Sequence, residues 1–186
     1  MATERARLLM HPLRMRIVVA LSAEDLTTRQ VHQLMPEVSQ ASLYRAVSQL
    51  VAGGMIEVVG EERRGGALER TYRVVLGHAP LSDEELGSTS PGEVLGVVET
   101  LSDMVVTAAG RYLAEAGDAW EPSQLTLRHT PVWLTDEDRV RLHEDVLALM
   151  TTYGGKQRSP DARLYSVNIA IVPEPARTTH DSADGA

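Results

Sequence analysis

Ser39-Gln-Ala-Ser-Leu-Tyr-Arg-Ala-Val-Ser-Gln-Leu-Val51 is the stretch that decides the fold of this chain, together with the pattern that follows it. Leu43 and Leu50 are spaced so that they share one face of a helix, and polar residues occupy the other face. Ser39 is a suitable N-cap, and Gly53-Gly54 is a typical helix end. The segment therefore predicts a short amphipathic helix that exposes its polar side.

A hairpin with a basic tip is predicted directly after this helix. Residues 55–59 and 68–74 alternate as strands do, and the Gly-rich segment 60–66 lies between them. Arg63 and Arg64 provide two cations at the tip, and two neighbouring glutamates partly cancel their field. We therefore expect the tip to attract phosphates modestly and in a manner that depends on salt.

Two further helices are predicted upstream. Residues 4–22 carry a broad apolar face, and Pro12 is expected either to bend this helix or to begin it. The Thr27-Thr28 pair can cap a second helix that runs through Leu34 and ends at Pro36. Three helices followed by a hairpin with a Gly-rich tip form the element order of a winged helix-turn-helix domain. The predicted fold class is therefore α+β.

The polar face of the third helix is typical of a surface that reads a DNA duplex. With Leu43 directed to the core, an advance of about 100° per residue turns a set of polar and small side chains outward. Arginine can donate two hydrogen bonds to guanine, and glutamine can pair with adenine. Arg45 is the first choice for a base contact, with a phosphate contact as the alternative. The outward set is Gln40, Ala41, Ser42, Tyr44, Arg45 and Ser48.

Charge is distributed unevenly along the 186 residues, whose net charge is −8. Residues 1–78 hold ten Arg and eight acidic residues, for a net charge of +2, whereas residues 79–186 hold eight basic and eighteen acidic residues, for −10. The difference predicts two modules with different partners. We expect a DNA-binding domain at 1–78, a dimerisation and possible effector domain at 79–176, and a disordered tail at 177–186.

A long helix is predicted from Glu93 to Ala116, after a looser stretch from Gly77 to Pro91. Its apolar residues recur with the alternating steps of three and four that are typical of a paired helix seam. We expect this seam to form a homodimer, and burial within the same chain is the alternative. The seam consists of Val94, Val98, Leu101, Val105, Ala108 and Tyr112.

A small strand–helix–strand module is predicted to complete the chain. Residues 125–130 and 164–172 alternate as strands do, and a helix with an acidic first turn begins after Thr135. The aromatic side chains of this module are candidates to line a pocket for a small-molecule effector. Plain core packing is the alternative for each of them. They are Trp133, Tyr153 and Tyr165.

Composition excludes several classes of function. The chain has no cysteine, and its six His lack ligand spacing, so we expect neither disulfides nor a metal site. It has no phosphate loop, dinucleotide fingerprint or nucleophile elbow, so we predict no catalysis and no cofactor. No apolar run approaches the roughly 20 residues that cross a bilayer, and no secretory signal begins the chain. We therefore expect no membrane partner and a cytoplasmic location.

Three segments resemble ArsR-like winged-helix transcriptional regulators of bacteria. They are Leu8–Leu21, Ser42–Ile56 and Glu69–Val74. The segment Val132–Asp138 and the final strand resemble a C-terminal extension found in one branch of that group. The resemblance implies a homodimeric repressor that binds operator DNA and responds to an effector. The absence of Cys, and of His in the long helix, makes metal sensing unexpected.

The resemblance also implies which side chains meet DNA. Gln40, Ser42, Tyr44 and Arg45 would lie in the groove, and the two tip arginines would lie on the wing. A protein-interaction module that uses the winged helix only as a scaffold is the alternative, and the acidic total charge favours it. An amphipathic surface helix without a ligand would show the same polar face.

Overall fold

A computed structural model describes residues 4–64, 66–75, 87, 89–154 and 159–175 of the chain. Over these residues the protein is α+β, with six α-helices and a three-stranded antiparallel sheet. The elements, in chain order, are α1 (Glu4–Leu9), α2 (Pro12–Ala23), β1 (Leu26–Thr27), α3 (Thr28–Leu34), α4 (Gln40–Ala52), β2 (Ile56–Arg64), β3 (Ala67–Val74), α5 (Pro91–Ala116) and α6 (Asp136–Gly154). Two short 3-10 turns, Gly117–Ala119 and Pro122–Gln124, follow α5.

Pro12 begins a new helix, so the prediction of one continuous helix over 4–22 is wrong and the alternative of a start at Pro12 is confirmed. Proline suits the first helical position because its fixed φ matches the helix and its missing N–H would have no partner there. Ile17 and Leu21 of α2 are buried, as the predicted apolar face requires.

Side-chain caps set the starts of α3 and α4, as the sequence predicts. Thr27 and Gln30 form a capping box, in which the Gln30 amide donates to Thr27 Oγ1 at 3.3 Å and the Thr27 amide donates to Gln30 Oε1 at 2.8 Å. Ser39 caps α4 by accepting from the Ser42 amide at 3.2 Å. Helix α4 ends at Ala52 with Gly53 as its C-cap, and the next residue, Gly54, has φ 68°, a conformation that glycine adopts without steric cost.

The sheet has the strand order β1-β3-β2, so β3 lies in the centre. A β2–β3 hairpin forms where the sequence predicts one, but the predicted tip at 60–66 is too long: β2 continues to Arg64, and Arg63 pairs with Leu68. The register shifts between Val58 and Gly60, and Gly66 has φ 86°. The two-residue strand β1 is an addition that the sequence analysis did not predict. It pairs Leu26 with Tyr72 and thereby joins the helices to the hairpin.

A single apolar core lies under α1–α4 and the sheet. Helix α4 faces it with four buried side chains, and Met55 and Ile56 continue the buried surface into β2. Within the described residues, every buried hydrophobic side chain falls between Ala6 and Tyr72. The N-terminal part therefore has its own core, which holds α4 in a defined orientation.

Helix α5 confirms the predicted long helix and packs against α2. Ser90 and Glu93 form its capping box, with the Glu93 amide donating to Ser90 Oγ at 3.3 Å. Thr100 is its one buried residue, and the Thr100 hydroxyl donates to the Gly96 carbonyl at 2.7 Å. The predicted module boundary at Gly77–Pro91 lies largely outside the described residues, and the predicted tail at 177–186 lies wholly outside them.

The predicted strand–helix–strand module is only partly correct. Its helix is present as α6, capped by Thr135, which accepts from the Asp138 amide at 3.1 Å. Neither 125–130 nor 164–172 forms a strand, so both strand predictions are wrong for the single chain. The physical reason is that alternation alone does not make a strand: a neighbouring backbone must supply the ladder of hydrogen bonds, and no described segment does so.

Candidate nucleic-acid interface

Helix α4 separates its apolar and polar side chains cleanly. Leu43, Ala46, Val47 and Leu50 are buried in the core. The six side chains predicted to point outward are all exposed, and Tyr44 retains 57% of its accessible surface. The predicted orientation of this face is therefore confirmed, while its ligand stays a prediction.

The start of α4 offers free backbone donors next to this face. The Ser42 amide is used by the Ser39 cap, and the Leu43 amide donates to the Ser39 carbonyl at 3.0 Å. The amides of Gln40 and Ala41 donate to no acceptor among the described residues. Ser42 also accepts from the Ser39 hydroxyl at 2.9 Å, so its own hydroxyl hydrogen is left for an outside acceptor. These groups suit a phosphate oxygen.

Gln49 extends the polar side of α4 but is not available for a ligand. Its side-chain oxygen accepts from Arg14 Nη1 at 3.0 Å. The same guanidinium donates to the carbonyls of Leu8 and Arg7, at 2.7 and 2.8 Å. Arg14 therefore satisfies carbonyls at the end of α1 and ties that end to α4, which stiffens the helix behind its exposed face.

The hairpin places its charges on both strands near the tip. Arg63 is exposed, and the side chain of Arg64 lies outside the described set. Arg70 Nε donates to Glu61 Oε1 at 2.8 Å, so one glutamate of the tip is already neutralised by a cross-strand ion pair. Glu61 therefore cancels less of the positive charge of Arg63 than the sequence suggests, because Arg70 already neutralises it.

A shallow cleft of about 380 Å³ lies between α3 and the hairpin. Arg29 and Gln30 line it from the helix, and Glu62 and Glu69, which face each other in the strand register, line it from the hairpin. Opposed carboxylates on neighbouring strands repel each other, and Arg29 is the cation among the residues that line the cleft. Arg29 is a candidate that the sequence analysis missed; its position in the first turn of α3 was the available signal.

The arginines of the N-terminal part divide into paired and unpaired groups. Arg16 is paired with Glu37 at 2.5 Å, and Arg73 with Asp25 at 2.5 Å. These hydrogen bonds lower the pKa of both carboxyl groups below their ordinary values. In contrast, the side chains of four exposed arginines make no ion pair or hydrogen bond with any described residue: Arg7, Arg29, Arg45 and Arg63. Unpaired cations are the ones whose charge is free to attract phosphates.

The predicted dimer seam on α5 is partly exposed. Val98 and Leu101 are exposed, and Val94, Val105 and Ala108 are partly buried. Tyr112 is engaged within the chain. Its hydroxyl accepts from the Glu121 amide at 3.0 Å, and Arg163 lies 5.2 Å from its ring centroid.

The three aromatic side chains predicted to line an effector pocket are exposed and line neither the cleft between α3 and the hairpin nor a second cleft on α6. Trp133 is fully exposed, and Tyr153 and Tyr165 are more than half exposed. The Tyr165 hydroxyl hydrogen-bonds to the side-chain oxygen of Gln124. This second cleft, on the outer face of α6, is lined by Asp136 and its neighbours rather than by these aromatics.

No protein-family model matches the chain, and a search of curated proteins finds no significant match. Over the part of the chain that the structure describes, no group of three or more His, Asp or Glu is arranged to hold a metal ion. None of the described helices combines the length and the apolar character needed to cross a membrane.

Proposed function

We propose that this chain is a sequence-specific DNA-binding transcriptional regulator of the winged helix-turn-helix type, similar to ArsR-like proteins. In this proposal α4 is the recognition helix, the β2–β3 hairpin is the wing, and the protein acts as a homodimeric repressor in the cytoplasm. A small-molecule effector that weakens operator binding is part of the same proposal.

The observation that carries the proposal is the free guanidinium of Arg45 on the exposed face of α4. The side chains of Arg16 and Arg73 are held in ion pairs, whereas the side chain of Arg45 has no partner among the described residues. Its neighbour Tyr44 is also exposed despite its large apolar ring. Base edges in the major groove would contact both side chains, because arginine donates hydrogen bonds to guanine and apolar groups contact the thymine methyl group.

The contacts that hold α4 in place, and the charges beside it, support its role as a recognition helix. Helix α4 is anchored from behind by four buried side chains and from one side by the Arg14–Gln49 hydrogen bond. A rigid helix with an exposed polar face matches the width of the major groove, about 12 Å. Arg63 and Arg29 add unpaired positive charge beside the helix, which would contact the phosphate backbone.

Fluorescence anisotropy with the purified chain tests the proposal. The probe is a labelled fragment of the promoter region of its own gene, compared with an unrelated duplex of equal length at low salt. We expect selective binding, and we expect Arg45→Ala to weaken it by about 1–3 kcal/mol, the usual contribution of a base-specific arginine. Arg111→Ala is the matched control, because Arg111 is also exposed but lies on α5.

Two outcomes would contradict the proposal. One is equal binding to both duplexes at low salt, and the other is an equal loss of affinity in the Arg45 and Arg111 variants. Either would favour the protein-interaction alternative, in which the N-terminal domain is only a scaffold. If the promoter fragment is not the operator, selection of bound sequences from a random pool provides the same comparison.

A further inference from the structure

The described residues of the C-terminal half form no buried core. Among the described residues from Leu101 to Pro175, none is buried. Helix α6 has no buried residue along its 19 positions, and α5 has only Thr100 along its 26. In a folded domain of this length, an apolar face is normally covered by another element.

The exposed surface of this half is unusually apolar. About twenty large hydrophobic side chains between Leu95 and Val172 are exposed, which is close to the roughly 20–30 residues that each partner contributes to a stable protein–protein interface. Most of them occur on α5, on α6 and on two extended segments, residues 125–134 and 164–172. Exposed apolar surface of this extent marks an interaction site.

The segment 164–172 adds a second, independent observation. Its sequence, Leu164-Tyr-Ser-Val-Asn-Ile-Ala-Ile-Val172, is rich in β-branched residues and contains no charge. Its backbone makes no hydrogen bond to any described residue. Edge strands of stable monomers are usually protected by charges, proline or a covering element. Here only Pro173, at the end, protects the segment.

We infer that residues 164–172 pair as an antiparallel β-strand with the same segment of a second copy of this chain, and that α5 and α6 pack around this joint strand pair. A second copy is the occupant because an uncharged, unprotected strand is complementary to itself about a two-fold axis. Tyr165, Val167, Ile169 and Ile171 then share one face. This face would cover the exposed apolar side chains of the helices.

The other extended segment is a weaker candidate for the central pair. Residues 125–134 contain Pro131, which cannot donate to a ladder, and Arg128. The acidic residues of the C-terminal half also lie outside 164–172, so the strand pair itself brings no like charges together. This inference rests on the homodimer of the proposed function, and on that part alone.

Light scattering after size exclusion tests the dimer directly. We expect wild type to have twice the mass of the 20.3 kDa chain. A Val167→Asp/Ile169→Asp variant is expected to be monomeric, because two buried charges would oppose the strand pair. Leu34→Asp is the matched control: Leu34 is 42% exposed, Ile169 is 46% exposed, and Leu34 lies on α3.

Hydrogen exchange in the same variants separates loss of pairing from loss of folding. Amides of α4 should stay protected in both variants, and amides of 164–172 should be protected only where the dimer persists. A monomeric wild type at micromolar concentration would overturn the inference. A dimer that survives the double substitution with unchanged exchange over 164–172 would overturn it as well.

Because the chain contains no cysteine, single cysteines introduced from Ser166 to Ala170 report the register. In an antiparallel self-pair, one position near the centre lies opposite its own copy, so disulfide-linked dimer should peak there and fall on both sides. Ser22→Cys on α2 is the control. Crosslinking that occurs only between a cysteine in 164–172 and one in 125–130 would refute self-pairing.

None of these three measurements uses DNA, so the two proposals fail separately. A dimer of the inferred kind that binds no DNA selectively would contradict the proposed function and leave the inference intact. A monomer that still binds the operator selectively would contradict the inference and leave the DNA-binding role intact.

Discussion

Arg73 on β3 donates two hydrogen bonds to the carboxylate of Asp25, at 2.8 Å from Nε and 2.5 Å from Nη2. Asp25 immediately precedes β1, whose two residues pair with Thr71 and Tyr72. Strand β1 joins β3 through only two residue pairs. The ion pair adds a further contact between the helices and the hairpin at the same place. A bidentate geometry of this kind is the strongest form of a surface ion pair.

This pair predicts a specific pH dependence of stability. The hydrogen bond from Arg73 lowers the pKa of Asp25 below its ordinary value of 3.8, so the stabilisation is present above that pH and is lost as the pH falls through the lowered pKa. Asp25→Asn should therefore be slightly less stable than wild type at neutral pH, and the difference should shrink in acid. Urea unfolding at a series of pH values measures it. A difference that does not change with pH would contradict the assignment.

Arg14 should contribute measurably to stability through its three hydrogen-bond acceptors. We expect Arg14→Met to lower the free energy of unfolding by about 1–3 kcal/mol, because the carbonyls at the end of α1 lose a charged donor. Arg14→Lys should recover only part of the loss, since one ammonium cannot reproduce the planar fork. Denaturant unfolding compares these variants with Arg111→Met, and full recovery by lysine would argue that charge alone matters.

Leu50 and Val51 are adjacent on α4 but differ in environment. Leu50 is fully buried and Val51 is 37% exposed. Leu50→Ala should cost about 2–5 kcal/mol, the range for a cavity in a core. Val51→Ala should change stability far less. Thermal or urea unfolding gives both values, and similar losses at the two positions would contradict the assigned orientation of α4.

Two glycines should respond to alanine in opposite directions. Gly54 follows the C-cap of α4 and has φ 68°, where a side chain is strained, so Gly54→Ala should destabilise the protein by about 1–2 kcal/mol. Gly110 lies inside α5 with open space around it, so Gly110→Ala should stabilise that helix by about 0.5–1 kcal/mol. Unfolding curves test the sign. Stabilisation by the Gly54 substitution would show that α4 ends in another conformation.

Arg63 should act on DNA through charge rather than through base identity. Arg63→Ala is expected to weaken binding about equally for operator and unrelated duplexes and to reduce the slope of log K against log salt by about 1. Anisotropy titrations over a range of salt concentrations measure this slope. A selective loss for the operator alone would instead indicate a base contact at the hairpin tip.

The candidate site was largely predictable because it depends on local signals. Ser39 and the Gly53-Gly54 pair bound α4, and the spacing of its apolar residues decides which side chains are exposed. The pairing of charges was not predictable in the same way. Arg73 meets Asp25 across 48 residues, and Arg16 meets Glu37 across 21, so only the packed chain reveals which arginines are left free.

The strand predictions failed for a related reason. Alternation in 164–172 matches the side-chain pattern of a strand, but a strand also needs a partner backbone at hydrogen-bonding distance. Strand β1 shows the converse case. Its two residues carry no visible pattern, yet they pair because the fold brings Leu26 beside Tyr72.

Caps, prolines, glycines and apolar spacing determined the helices of this protein and the outward face of α4, because these signals act within a few residues of one another. Tertiary structure alone decided which charges are neutralised, where the third strand lies, and that the C-terminal apolar surface is left uncovered in one chain. These properties depend on contacts between distant segments, and the energy of such contacts is set by geometry that no local pattern encodes.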